Sequence, residues 1–219
     1  MNMISLTIDG IKVEVPEGST VLDAARKANI RIPTLCFLEE INEIGACRMC
    51  VVETGARTLQ AACVLPATQG MDVKTNTRRV RHARKTVLEL ILSNHDKRCL
   101  SCVRSQNCEL QRLALELEVT DETAFSGERT EYEVDSLSPS IVRDNNKCIN
   151  CRRCVSTCYK VQAVGVIGPV GRGFRTSIES AWDMSLNDTA CIGCGQCIAA
   201  CPVGALKEKG ESPLVWKMI

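Results

Sequence analysis

Apolar and polar residues alternate at the start of the chain. Ile4, Leu6 and Ile8 are separated by polar neighbours, and Ile11, Val13 and Val15 repeat the pattern beyond Asp9-Gly10. A period of two on both sides of Asp-Gly predicts a β-hairpin over residues 3–15. Pro16 and Gly18 end it, and Ser19 or Thr20 caps a short helix carrying Val21, Leu22, Ala25 and Ala28. Residues 49–53 and 58–64, separated by Gly55, read as two further strands. The period then changes. Val80, Ala83, Val87, Leu88, Ile91 and Leu92 recur at helical spacing, which predicts a helix over about 77–94. A second helix is expected near 109–119. Residues 120–140 are polar and carry Gly127, Ser136, Ser138 and Pro139, the signature of an irregular connection. The stretch GPVGRGF, with Gly168, Gly171 and Gly173, reads as a turn.

Cysteine changes this picture most. The chain has 15 cysteines in 219 residues, and with one histidine they divide into four sets with none left over. Cys36, Cys47, Cys50 and Cys63 form the first. His95, Cys99, Cys102 and Cys108 form the second. The third is Cys148, Cys151, Cys154 and Cys158, and the fourth is Cys191, Cys194, Cys197 and Cys201. Soft thiolates at such spacing suit iron–sulfur clusters.

Composition agrees. Aromatic residues make up only 3% of the chain, so rings supply little of any core, and metal ligation can stand in because its free energy is folding free energy. The formal net charge of +1 gives no reason to expect nucleic acid as a partner. Arg78, Arg79, Arg81, Arg84 and Lys85 cluster, and read as a solvated helix face or as a docking surface for an acidic partner or for anionic clusters nearby. The first ten residues lack the charged start and apolar run of a secretory signal, and no stretch reaches membrane-spanning length. A cytoplasmic chain is expected, where dense cysteine signals metal rather than disulfides.

The first set has the spacing C-x10-C-x2-C-x12-C. The close pair Cys47/Cys50 can hold one iron of a [2Fe–2S] cluster, and Cys36 and Cys63 arrive from distant loops. Gly45 and Ala46 leave the backbone room to approach the sulfides. Structural zinc is the competing reading. In the second set, Cys99, Cys102 and Cys108 need a fourth donor, and His95 lies one helical turn upstream. Such a histidine can also be a helix cap or a surface residue. As a neutral ligand it would remove a negative charge and raise the potential of a [4Fe–4S] cluster, as in Rieske centres. The third and fourth sets each match C-x2-C-x2-C-x3-C, in which the last cysteine ligates the other cluster. Cys148, Cys151, Cys154 and Cys201 are therefore expected to hold one [4Fe–4S] cluster, and Cys158, Cys191, Cys194 and Cys197 the other. Pro202 follows Cys201 as the motif asks, whereas Tyr159 stands where the first run would have proline.

Hairpin, helix and further strands give the β-grasp pattern of plant-type ferredoxins at residues 1–75. The expected fold class is α+β. Residues 76–120 form a small helical [4Fe–4S] segment with one histidine and three cysteine ligands, 121–140 a linker, 141–208 a 2[4Fe–4S] bacterial ferredoxin-like domain, and 209–219 a tail. The tail's Pro213, Leu214, Val215, Trp216, Met218 and Ile219 either pack back on their own domain or dock on a partner.

The segments PTLCFLEEINEIGACRMCVVE, TVLELILSNHDKRCLSC, SPSIVRDNNKCINCRRCVSTC and DTACIGCGQCIAACPVGAL occur in this order. They resemble the N-terminal iron–sulfur electron-transfer region of cytosolic [FeFe]-hydrogenase catalytic subunits, including the NADP-reducing kind. They are also similar to the large iron–sulfur subunit of complex I and of NAD-linked formate dehydrogenase. The resemblance implies one [2Fe–2S] and three [4Fe–4S] clusters. Those families continue into a large catalytic domain, and no cysteines beyond the four sets exist here to hold an active-site cluster. No catalytic residue is identified. There is no glycine-rich phosphate loop at a strand–helix junction and no anchoring motif for serine–histidine–acid chemistry.

The resemblance thus implies an electron-transfer subunit of a multi-subunit NAD(P)H-linked oxidoreductase, of a type that includes flavin-based electron-bifurcating complexes. Its expected partners are flavin- and NAD(P)-binding iron–sulfur subunits, with ferredoxin or a second catalytic subunit such as hydrogenase or formate dehydrogenase. A free-standing polyferredoxin is the alternative.

Overall fold

The computed structural model describes residues 2–120 and 124–219, so the first positions of the expected linker, 121–123, lie outside the described residues. The chain packs as two compact units, Met1–Ser93 with Arg112–Ser126, and Asn94–Gln111 with Gly127–Ile219. The stretch 76–120, expected as one helical segment, is thus shared between them.

In the first unit β1 (Met3–Ile8) and β2 (Ile11–Pro16) form the hairpin, with Ile4 opposite Val15 and Ile8 opposite Ile11. Asp9 and Gly10 both have positive φ, 48° and 86°, the twist a two-residue hairpin turn requires. Helix α1 (Val21–Lys27) follows. The Thr20 hydroxyl accepts from the Asp23 N–H at 3.2 Å, and the Asp23 carboxylate accepts from the Thr20 N–H at 2.9 Å. This reciprocal box settles which of Ser19 and Thr20 is the cap. Strands β3 (Val51–Val52) and β4 (Gln60–Ala61) pair antiparallel, shorter than their sequence pattern predicts. Strand β5 (Asp72–Val73), not foreseen, runs parallel to β1 and completes a sheet of order β2-β1-β5. The inward residues Leu6, Ile8, Val13 and Val15 pack with Val21, Leu22, Ala24, Ala25, Val52 and Val73 into one core. Helix α2 (Arg78–Ser93) buries Val80 and Leu88.

Helix α3 (Glu109–Glu116) begins directly after Cys108, as its sequence pattern predicts. In the second unit β6 (Ile141–Arg143) pairs antiparallel with β9 (Leu206–Glu208), so the two ends of the cysteine repeat are joined. Between them come α4 (Arg153–Ser156), a hairpin of β7 (Gly168–Val170) and β8 (Ser177–Glu179), and α5 (Gln196–Ala200). GPVGRGF supplies β7 and the tight connection to β8. A Cβ on Gly171 would lie 2.7 Å from the Arg175 carbonyl oxygen, so only glycine fits there.

The tail forms helix α6 (Ser212–Met218), and its Leu214, Val215, Trp216 and Met218 are exposed, so they do not pack back on the domain. Of the seven aromatic residues only Phe37 is buried. Among the described residues, no helix is long and apolar enough to cross a membrane.

Candidate metal centres

All 15 cysteines are free thiols. The first set is fully brought together. The Cys50 and Cys63 sulfurs lie 3.3 Å apart, the Cys36 N–H points at the Cys47 sulfur at 3.4 Å, and the Cys47 N–H points back at the Cys36 sulfur at 3.4 Å. All four thiols are buried. Their ionisations oppose one another. The hydrogen bond from Cys47 drives Cys36 toward thiolate and pushes Cys47 up in return. Cys63 likewise lowers Cys50, to about 7, and is itself pushed up by Cys36 and Cys50. Four buried thiols that resist joint ionisation suit a positive metal core that neutralises them. Gly45 holds φ +62°, and a Cβ there would press on Val64 at 3.1 Å.

The cationic cluster on α2 departs from the solvated-face expectation at one position. Arg78, Arg79 and Arg81 are exposed, but Arg84 is buried and donates from Nη2 to the Val51 carbonyl at 2.8 Å. Burial lowers its pKa to about 10, against the pull of nearby Cys50.

The ferredoxin-like runs line two hollows. One, of about 430 Å³ including its solvent-open mouth, is lined by Cys148, Cys151, Cys154 and Cys201. The other, of about 470 Å³ on the same measure, is lined by Cys158, Cys191, Cys194 and Cys197. Each hollow therefore takes three cysteines from one run and the fourth from the other. Ile167 and Leu206 line both. Among the described residues, no three His, Cys, Asp or Glu side chains converge on a site for a single ion. Desolvation pushes Cys148 up to about 11, Cys151 to about 12 and Cys197 to about 11, and pushes Cys154 well above the ordinary thiol value. These thiols stay protonated at neutral pH unless a metal displaces the proton.

The repeat extends to the backbone. Gly193 and Gly195 in CIGCGQC hold φ of 64° and 72°, and the equivalent Asn150 and Arg152 in CINCRRC hold 52° and 62°. Left-handed geometry bends each loop around its hollow, easily at glycine and with strain at Arg152. The missing proline also has a visible consequence. Where Pro202 follows α5, the first run continues past α4 as a single π-helical turn, Thr157–Val161, closed by the Gln162 N–H on the Thr157 carbonyl at 3.1 Å. Tyr159 lies on that turn and is exposed.

In the second set, Cys99, Cys102 and Cys108 lie near enough that the first two raise the third electrostatically, although desolvation is the larger cause of its upward shift. His95 is buried, and its Nδ1 has no hydrogen-bond partner. Burial depresses the imidazole pKa from 6.5 to about 4, so the ring is neutral at physiological pH. A buried, neutral nitrogen without a partner is a donor atom in need of an acceptor, and a metal would satisfy it. The turn after His95 is clamped. Asp96 receives Arg98 at 2.9 Å and Lys147 at 3.5 Å, and Lys147 also pairs with Asp144. The segment is sewn into the second unit by Arg104, whose Nη2 donates to the carbonyls of Ile198 at 3.0 Å and Cys201 at 3.1 Å. Arg153 and Glu109 add a two-armed ion pair at 2.7 and 3.0 Å. Gly204 approaches so closely that a Cβ would lie 2.4 Å from the Cys102 sulfur. Sequence reasoning singled out Arg84 only as one of a cationic cluster, and missed Arg104 and Gly204. Only the glycine, just past Pro202, carried any signal.

Three family profiles match successive parts of the chain. A "2Fe-2S iron-sulfur cluster binding domain" profile matches residues 1–78. An "NADH-ubiquinone oxidoreductase-G iron-sulfur binding region" matches 84–123, and a "4Fe-4S dicluster domain" matches 147–205. A chain of the NAD+-reducing [NiFe]-hydrogenase in its H2-reduced state superimposes with a TM-score of 0.88 at 32% identity, over 94% of this chain and 88% of that one. The chain is 48% identical, over its whole length, to the NADP-reducing hydrogenase subunit HndD of Solidesulfovibrio fructosivorans. The chain belongs to the family of N-terminal iron–sulfur regions shared by NADH-quinone oxidoreductase-G proteins and NADP-reducing hydrogenase subunits. The NADH-ubiquinone oxidoreductase 75 kDa subunit of Reclinomonas americana is 35% identical over 94% of the chain. The chain spans 38% of the first of these curated relatives and 30% of the second.

Proposed function

We propose that this chain is the iron–sulfur electron-transfer segment of a multi-subunit NAD(P)H-linked oxidoreductase, holding one [2Fe–2S] and three [4Fe–4S] clusters. The observation that carries this reading is the pair of hollows, each walled by four cysteines drawn from both runs. Cys36, Cys47, Cys50 and Cys63 hold the [2Fe–2S] cluster. His95, Cys99, Cys102 and Cys108 hold one [4Fe–4S] cluster. Cys148, Cys151, Cys154 and Cys201 hold the second, and Cys158, Cys191, Cys194 and Cys197 the third. When bound, such clusters accept and release single electrons. The residues of this chain bury the four cysteines of the first set, fix the loops and supply cations beside the hollow of Cys148, Cys151, Cys154 and Cys201. The partner that delivers electrons is a flavin- and NAD(P)-binding subunit, and the acceptor is ferredoxin or a second catalytic subunit.

Anaerobically purified protein should be brown and contain iron and acid-labile sulfide. Reduced samples should give paramagnetic signals of both cluster types. NADPH or NADH alone should leave it oxidised, and addition of the flavin subunit should reduce it. Colourless protein containing zinc overturns the reading.

The approach of Gly204 to Cys102 gives a second expectation. In Gly204→Ala the new methyl group must displace the Cys102 sulfur. Iron content should fall and the signal of the histidine-containing set should broaden or vanish, with the [2Fe–2S] signal unchanged as the internal control. Full iron and an unaltered spectrum would show that Cys102 is not held at the position a ligand needs.

A further inference from the structure

The two hollows differ in charge. The one walled by Cys158, Cys191, Cys194 and Cys197 has no charged side chain in its lining, which is completed by aliphatic residues with Gln162 and Gln196. The one walled by Cys148, Cys151, Cys154 and Cys201 is also lined by Arg143 and Arg152. Arg152 is exposed, but Arg143 is only 8% exposed.

Arg143 is held on one side only. Its backbone N–H and carbonyl exchange bonds of 2.8 and 3.0 Å with Asp135. Its Nη2 donates to Asp135 Oδ2 at 3.3 Å. That carboxylate is itself fixed by the Leu186 N–H, the Ser185 hydroxyl and the Leu137 N–H, at 3.1, 3.1 and 3.2 Å. The other arm of the guanidinium, Nη1, is sealed from solvent and has no hydrogen-bond partner. A buried cationic N–H without an acceptor is costly, and native structures rarely tolerate one.

We propose that Arg143 is a potential-setting residue that donates Nη1–H to a sulfur of the cluster in its hollow, making that cluster the more easily reduced of the two in the ferredoxin-like domain. This rests on the cluster assignment proposed above. Reduction adds one electron, supplied by a flavin subunit or a chemical titrant, and neither forms nor breaks a bond. The added negative charge sits beside a fixed cationic donor in one hollow and beside none in the other. Hydrogen bonds to sulfur and local charge are the levers by which a protein raises such a potential. An electron shared by the two sites therefore settles next to Arg143.

The test is potentiometric titration of the full chain, followed by paramagnetic resonance, in wild type and in Arg143→Met, Arg143→Gln and Arg143→Lys. The signal of this hollow is identified by its loss in Cys148→Ser. In Arg143→Met the one-electron equilibrium of that cluster should shift at least about tenfold toward the oxidised form, which is about 59 mV for a one-electron couple. The other clusters should titrate as in wild type. Lysine, which keeps the charge, should recover part of the shift. If the Met variant fails to load its cluster, the Gln and Lys variants decide, with Gln the lower in potential. Unmoved midpoints in variants that carry a full complement of iron would overturn the role of Arg143 alone. Absence of any [4Fe–4S] signal in wild type would overturn the cluster assignment instead.

Discussion

Cys201→Ser should abolish the cluster of the first ferredoxin-like run, not that of the run in which Cys201 lies. The hollow that contains Cys201 is otherwise walled by Cys148, Cys151 and Cys154. Its own run-mates Cys191, Cys194 and Cys197 line the other hollow, with Cys158. The crossing has a visible cause. Strands β6 and β9 pair Arg143 with Leu206 and Ile141 with Glu208, which folds the end of the second run back over the start of the first. Arg104 then holds the Cys201 carbonyl. Four variants separate crossed from uncrossed ligation. Cys201→Ser and Cys148→Ser should remove the same paramagnetic signal, and Cys158→Ser and Cys194→Ser should remove the other. Each should cost about four iron atoms per chain. If Cys201→Ser and Cys194→Ser removed the same signal, the crossed assignment would fail. The thermal midpoint should also drop, because ligation contributes directly to folding.

Much of this was legible in the sequence because cysteine spacing and turn residues are read locally. The spacing inside each run fixes which thiols share a loop, and the Asp9-Gly10 turn and Thr20 cap are read from neighbours in the chain. What was not legible depends on distant pairing or on burial. Strand β5 is two residues long and exists only because β1 offers a free edge. Strands β6 and β9 are three residues each and lie more than sixty positions apart. Arg84 and Arg143 look like surface arginines in sequence. Only the fold shows one reaching the Val51 carbonyl and the other lining a hollow. Within 120–140, read as irregular connection, residues 129–138 are irregular, yet Asp135 anchors Arg143 and Tyr132 exchanges hydrogen bonds with Asn146. Polar composition signalled the absence of regular structure and said nothing of these anchoring contacts.

His95 carries the other large effect. Its Nδ1 lacks a partner, and burial holds the ring neutral by depressing its pKa from 6.5 to about 4. In His95→Ala the set should lose its fourth donor, and its signal should disappear or convert to that of an incomplete cluster. In His95→Cys the set should load fully, but with an extra negative charge, so its midpoint should fall while the [2Fe–2S] midpoint stays. A redox titration that shows no shift in a fully loaded Cys variant would count against ligation by His95. Acid gives an independent readout. Above pH 6.5 the ring is neutral both in the folded protein and in the unfolded chain, so it adds no pH dependence. As pH falls from 6.5 toward 4, the unfolded chain binds a proton that the folded protein does not. The unfolded state then holds more protons, and stability must fall with acidification across this window. Cluster-free wild type should therefore lose more thermal stability than cluster-free His95→Gln between pH 7 and pH 5. Identical pH profiles would mean that the imidazole protonates freely in the folded protein, which its burial does not allow.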